Sequence, residues 1–200
     1  MPSVGFDLDM TLVDSMKSIR ETLLEVLRYY KVDIDTHVLD KSVGLPVKDS
    51  LVDWVGSKHI DAYELYKNIY QKSGYMHSKA LPGAKEILTQ LISNGYEVII
   101  ITAKNKKSAE IQLHYLNLPY TKIYGEVFGK GKTEALKYEK CLVYVGDHIE
   151  DFKSAQQAGT KFIGVTSNPS QTLLQDSNGN FAIIKNLSEL FSHFSIAIEK

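Results

Sequence analysis

The sequence predicts an α/β protein: a doubly wound parallel sheet with an inserted α-helical cap. Three observations carry that reading. Apolar runs alternate with helical-period stretches from Leu81 to the end of the chain, the pattern of successive βα units. Several of these runs end in polar residues, and in a parallel sheet all such ends lie along one edge. Between the first apolar run and the next αβ unit lies a nearly all-helical stretch, Ser15 to Lys79, far longer than the dozen or so residues that a crossover needs. The excess is read as an insertion over the carboxyl edge of the sheet, giving a core of residues 1–14 and 80–200 and a cap of residues 15–79.

The elements follow in order. The apolar run that starts at Val4 and ends in Asp7 and Asp9 is the first strand, and Ser15 is placed to cap a helix carrying Ile19, Leu23, Val26, Leu27 and Tyr30. Thr36 is expected to cap a short second helix. Pro46 suits the first turn of a third, with Val47, Leu51, Trp54 and Val55. Asp61 with Glu64 reads as a capping box opening a fourth helix, whose face carries Tyr63, Tyr66 and Tyr70. That stripe is read as packing within the cap rather than as substrate stacking. Leu81-Pro82-Gly83 then starts a helix closed by Gly95, and Tyr96 to Ile101 is a strand buried on both faces. A helix over Lys106 to Leu116 and a strand near Lys122 to Phe128 come next. Gly129 to Lys132 reads as a flexible basic turn before a short helix, Thr133 to Tyr138. Cys141 to Val145 and Phe162 to Val165 are strands flanking a helix closed by Gly159. Asp176 to Asn180 is expected to turn, Phe181 to Ile184 to form a short strand, and Asn186 with Glu189 to cap a last helix.

Composition excludes some functions. A formal net charge of -1 gives no global pull towards nucleic acid or an anionic membrane. The single cysteine, Cys141, rules out an internal disulfide and a zinc cluster built around it. No apolar run approaches spanning length and no basic-then-apolar leader opens the chain, so a soluble, cytoplasmic protein is expected.

The stretch Phe6-Asp7-Leu8-Asp9-Met10-Thr11 carries the chemistry. Residues i and i+2 near a strand end point to the same side, so Asp7 and Asp9 should face one pocket. Two carboxylates that close repel unless a cation or proton is shared, which points to a divalent metal with one acid ionised and the other protonated. Thr102 at the end of a second strand and Asp147 at the end of another converge on the same edge.

Taken together, Phe6 to Ser15, Leu81-Pro82-Gly83, Ile99 to Thr102, and Val145-Gly146-Asp147 through Asp151 to Ala158-Gly159 resemble the haloacid dehalogenase-like hydrolases. The likeness lies with the phosphoglycolate phosphatase-like group that carries a helical cap. The resemblance implies Asp7 as nucleophile and Asp9 as general acid and base. It implies Mg²⁺ between Asp7, the Asp9 backbone carbonyl and Asp147, with Asp151 orienting a metal water or the lysine. Thr102 would hold a phosphoryl oxygen, and Lys132 would offset the charge of Asp7 and the phosphoryl group. Met10 departs from the glycine most common in the family. The lysine segment departs too, leaving Lys130 beside Lys132, which is preferred because it immediately precedes the expected helix. His148 is expected to face solvent or the cap, and Lys48, His59 and His77 to lie at the surface.

The expected activity is Mg²⁺-dependent hydrolysis of a small phosphorylated metabolite, phosphoglycolate-like or a sugar phosphate, through an aspartyl-phosphate. A phosphomutase shares every core residue. A non-catalytic phosphate-sensing or partner-binding protein of the same fold is the alternative from another class.

Overall fold

A computed structural model of the chain describes residues 1–166 and 181–192. Six strands form one parallel sheet: β1 (Ser3–Phe6), β4 (Glu97–Ile101), β5 (Lys122–Tyr124), β6 (Cys141–Gly146), β7 (Lys161–Val165) and β8 (Ala182–Ile184). Their spatial order is β5-β4-β1-β6-β7-β8, so β1 lies inside the sheet between β4 and β6. The order reverses there, and ligands of open α/β sheets bind beyond the strand ends at such a point.

The alternating face of each strand explains the double winding. Val98, Ile100, Val143 and Val145 pack on one side with Ala84, Ile87, Leu88 and Leu91 of α5 (Ala84–Ser93) and Ala109 and Leu113 of α6 (Lys106–Tyr115). Ile99, Ile101 and Tyr144 pack on the other with Ala135 and Leu136 of α7 (Lys130–Tyr138) and Ala155 of α8 (Ile149–Ala158). A strand buried on both faces needs no polar alternation, which is why these runs are continuously apolar.

Two short strands, β2 (Val13–Asp14) and β3 (Lys79–Ala80), form a separate antiparallel ribbon with Val13 opposite Ala80 and Asp14 opposite Lys79. Between them lie α1 (Met16–Tyr29), α2 (Thr36–Ser42), α3 (Val47–Val55) and α4 (His59–Lys72). These helices bury their own cluster, including Ile19, Leu23, Leu39, Leu51, Tyr66 and Tyr70. Truncating a fully buried leucine such as Leu23 or Leu51 to alanine costs about 2–5 kcal/mol in such cores.

Several local expectations need correction. The α1 N-cap is Ser15, but its hydroxyl makes no capping bond. Asp35, not Thr36, caps α2 by accepting from the His37 N–H. The Asp61–Glu64 box does not form, because a 3₁₀ turn over Gly56–Lys58 runs into α4 and places Asp61 inside its first turn. The strand expected near Lys122 to Phe128 is shorter, since β5 stops at Tyr124. Gly129 to Lys132 is not a flexible turn: α7 begins at Lys130 and contains Lys132. The turn expected over 176–180 lies outside the described residues.

Candidate active site

Backbone hydrogen bonds shape the loop after β1. The Asp7 N–H still donates to Val145 O at 2.9 Å, continuing the sheet ladder one residue past the strand. Leu12 N and Val13 N both donate to Leu8 O, and Met10 N donates to Val13 O at 2.7 Å. This knot forces Met10 to φ 65°, the left-handed region where a side chain costs about 1 kcal/mol. A glycine suits that position for this reason, and Met10 accepts the cost while burying its side chain.

The loop sends its two acids to different partners. Asp7 accepts from Lys132 Nζ at 2.7 Å, and the same ammonium reaches Asp151 Oδ1 at 2.7 Å. Asp147, at the end of β6, completes the group: one carboxylate oxygen from each of Asp7, Asp147 and Asp151 lies within 4.8 Å of the others. Thr11 Oγ1 donates to Asp147 at 3.0 Å. Both oxygens of Asp151 are engaged, one by Lys132 and the Tyr144 hydroxyl, the other by the His148 N–H. Gly146 permits this approach, since a Cβ there would sit 2.7 Å from the Asp151 side chain.

Asp9 turns the other way. Its Oδ1 lies 2.5 Å from Nζ of Lys104, in the turn between β4 and α6. The same ammonium donates to the Tyr70 hydroxyl at 2.9 Å and to Gln112 Oε1 at 2.9 Å. Asp7 and Asp9 therefore do not share a counter-charge. Each has its own buried lysine.

Burial sets the electrostatics. Burial pushes the Asp7 carboxyl up to about 7, with Lys132 pulling the other way. Burial, then the charges of Asp7 and Asp151, push Asp147 well above the usual carboxylate range. Burial alone would lower Lys132, but Asp151 and Asp7 outweigh it and hold the ammonium well above its ordinary value. Three buried acids around one ammonium form a site short of positive charge. An all-oxygen donor set in that state fits a hard divalent ion such as Mg²⁺.

A cavity covers Asp7, Asp9, Thr102 and Lys104, walled by Ile19, Leu45, Val47, Tyr63 and Tyr66 from the helical insertion. It encloses about 20 Å³ of free space, room for about one water.

Residues 4–165 match the family model described as haloacid dehalogenase-like hydrolase. The chain belongs to that family.

Relatives of this hydrolase include a phosphoglycolate phosphatase of Aquifex aeolicus, 29% identical over 179 residues and covering 80% of this chain and 83% of that protein. A phosphoglycolate phosphatase of Yersinia pestis is 26% identical over 187 residues, with coverage of 82% and 80%. Among solved structures, a predicted phosphatase from Clostridium acetobutylicum superposes with a TM-score of 0.81 at 22% identity, covering 98% of each chain. That likeness speaks for the fold alone.

The hydrolase gathers Asp7, Asp9 and Thr102 at one cavity and Lys132, Asp147 and Asp151 just beside it. Thr102 is buried, and its hydroxyl accepts from the Lys104 N–H at 3.2 Å. Lys130 is not part of the group. It is exposed and lies 3.7 Å from Glu134, one turn along α7. His148 is half-buried and caps α8, with Nδ1 accepting from the Glu150 N–H. Burial lowers its pKa and keeps it a neutral acceptor. Lys48 and His77 are exposed, and half-buried His59 bonds the Gly56 carbonyl.

Sequence reasoning missed Lys104 and the roles of the tyrosines. Tyr70 binds Lys104, and the Tyr63 hydroxyl reaches Glu126 at 3.2 Å, so the stripe does more than pack within its own helices. Lys104 carried one signal: it stands two residues after the polar end of a buried strand.

Among the described residues no helix is long and apolar enough to cross a membrane.

Proposed function

We propose that this hydrolase is a Mg²⁺-dependent phosphatase acting on a small phosphorylated metabolite through an aspartyl-phosphate. One observation carries the reading: a buried carboxylate, Asp7, stands at the switch point of the sheet with an ammonium at 2.7 Å and two further acids in the same cluster. Lys132 holds Asp7 in place and neutralises part of the charge that gathers as phosphate arrives. An Asp7 oxygen attacks phosphorus, and the bond from phosphorus to the leaving oxygen breaks. Asp9 is the general acid that gives that oxygen its proton. The resulting Asp9 carboxylate then takes a proton from water as the water attacks the aspartyl-phosphate. Phosphate departs and the Asp7 carboxylate is restored. Thr102 donates to a phosphoryl oxygen, and Asp151 keeps Lys132 aimed at Asp7.

Asp7, Asp147 and the Asp9 backbone carbonyl would hold Mg²⁺, which when bound supplies charge that offsets the phosphoryl oxygens. Helices α1 to α4 act as the cap. A cavity with room for one water admits no substrate, so the cap opens for entry and closes for chemistry. The relatives' names point to phosphoglycolate as the first substrate to try, and localisation in the cytoplasm is consistent with such a metabolite.

The test is release of phosphate from para-nitrophenyl phosphate with and without Mg²⁺. Wild type is expected to turn over only with the metal. Asp7→Asn is expected to lower the rate at least about 10⁴-fold while keeping the fold. An unchanged rate in that variant would overturn the reading.

A further inference from the structure

Tyr66 stands apart from its neighbours on α4. Spacing of three and four residues puts Tyr63, Tyr66 and Tyr70 on one face, with ring centroids 6.4 Å and 5.8 Å apart. The outer two hydroxyls are satisfied, by Glu126 and by Lys104. The Tyr66 hydroxyl is buried, with the residue only 4% exposed, and no described residue gives it a hydrogen bond. It lines the cavity that holds Asp7, Asp9 and Thr102.

A buried hydroxyl without a partner costs folding free energy, and the packing around Tyr66 does not require one. A phenylalanine fills the same ring space. The hydroxyl therefore has a use outside the folded chain itself. The neighbouring cation does not compete for that use. Lys104 has three N–H donors, and Asp9, Tyr70 and Gln112 take all three. Asn105 and Ser108, farther along the wall, are tied to Gln71. Burial, with Tyr70 and Asp9 nearby, raises the Tyr66 phenol well above its ordinary value, so it keeps its proton and acts as a donor. The wall beside it is apolar: Ile19, Leu45 and Val47.

We propose that Tyr66 is the specificity-determining donor of the cap, giving a hydrogen bond to an oxygen on the leaving group of the substrate, beyond the scissile ester. The leaving group carries a carboxylate or hydroxyl oxygen that accepts from the phenol. This rests on the phosphatase reading above and adds the element that selects among phosphate esters.

The experiment compares kcat/KM for three esters in wild type and Tyr66→Phe. 2-Phosphoglycolate offers a carboxylate, glycerol 2-phosphate offers hydroxyls, and ethyl phosphate offers neither. Wild type is expected to prefer one or both oxygen-bearing esters over ethyl phosphate by about 10–100-fold, the range for one hydrogen bond to a charged group. In Tyr66→Phe that ratio collapses to within about threefold of one. Which ester loses more tells carboxylate from hydroxyl. The variant keeps the wild-type thermal midpoint or exceeds it, since only an unpaired hydroxyl is removed. A wild type without discrimination, an unchanged ratio in the variant, or an equal loss on all three esters overturns the assignment. Each of those results leaves phosphatase activity in place, whereas a wild type inactive on every ester removes the phosphatase reading itself.

Discussion

The two buried lysines of this hydrolase make an instructive pair. Lys132 and Lys104 are both almost fully buried, and each holds an aspartate of the loop after β1. Their surroundings differ. Lys132 sits among acids of the sheet core, so its ammonium faces an excess of negative charge. Lys104 has one carboxylate and two neutral groups, and one of those, Tyr70, belongs to the helical insertion. On the proposed reading, the first lysine balances charge where phosphorus would be attacked, and the second ties the other acid to the cap. One loop sends residues two apart to opposite partners.

The sharpest way to break that contrast is Lys132→Met. It leaves three buried acids with no ammonium, and uncompensated buried charge costs about 3–5 kcal/mol. Denaturant unfolding without metal should show that loss, and Mg²⁺ should restore a larger part of it than it adds to wild type. If Mg²⁺ gives this variant no extra protection, the cluster is not where the cation binds.

The next effect is a pH dependence confined to the Lys132 side. The Asp7 carboxyl ionises near 7 in the folded chain, above its unfolded value. The folded state then binds more protons than the unfolded state between roughly pH 4 and pH 7, so metal-free stability falls as pH rises through that window. The loss should be on the order of a few kcal/mol. Mg²⁺ should flatten the slope, because it favours the ionised form. Thermal midpoints at pH 5 and pH 8, each with and without the metal, measure both. A metal-free protein that grows more stable towards pH 8 contradicts the assignment.

The smallest effect belongs to Lys104. Tyr70→Phe removes its hydrogen bond to the lid and nothing else. A loss of about 1 kcal/mol in stability is expected, with Mg²⁺ affinity unchanged by titration. An altered metal affinity would mean that the two lysines are not separate devices.

How much of this was readable from the sequence varies by residue. Runs such as Val98 to Ile101 declare a two-faced strand by composition alone, and the polar residue that ends each run then falls at the shared edge. Asp7, Asp147 and Thr102 were legible for that reason. The start of α7 was not, because two glycines among four residues weaken local helix propensity by about 1 kcal/mol each, and tertiary packing overrides it. Lys104 was illegible in its role. Its partners Asp9 and Tyr70 are 95 and 34 residues away, and a lysine in a turn reads as solvated until the fold buries it. The free hydroxyl of Tyr66 was beyond reach too, since spacing gives a helical face but not which phenol finds a partner.

The β2–β3 ribbon has one more consequence. The chain leaves the sheet at Asp14 and returns at Lys79, and those residues are cross-strand partners. A body joined through a single flexible thread searches many orientations. A body joined through two bonded pins swings about one axis, like a trapdoor. If the cap opens as proposed, that axis would return Tyr66 and Tyr70 to the same place over the acids at each closure.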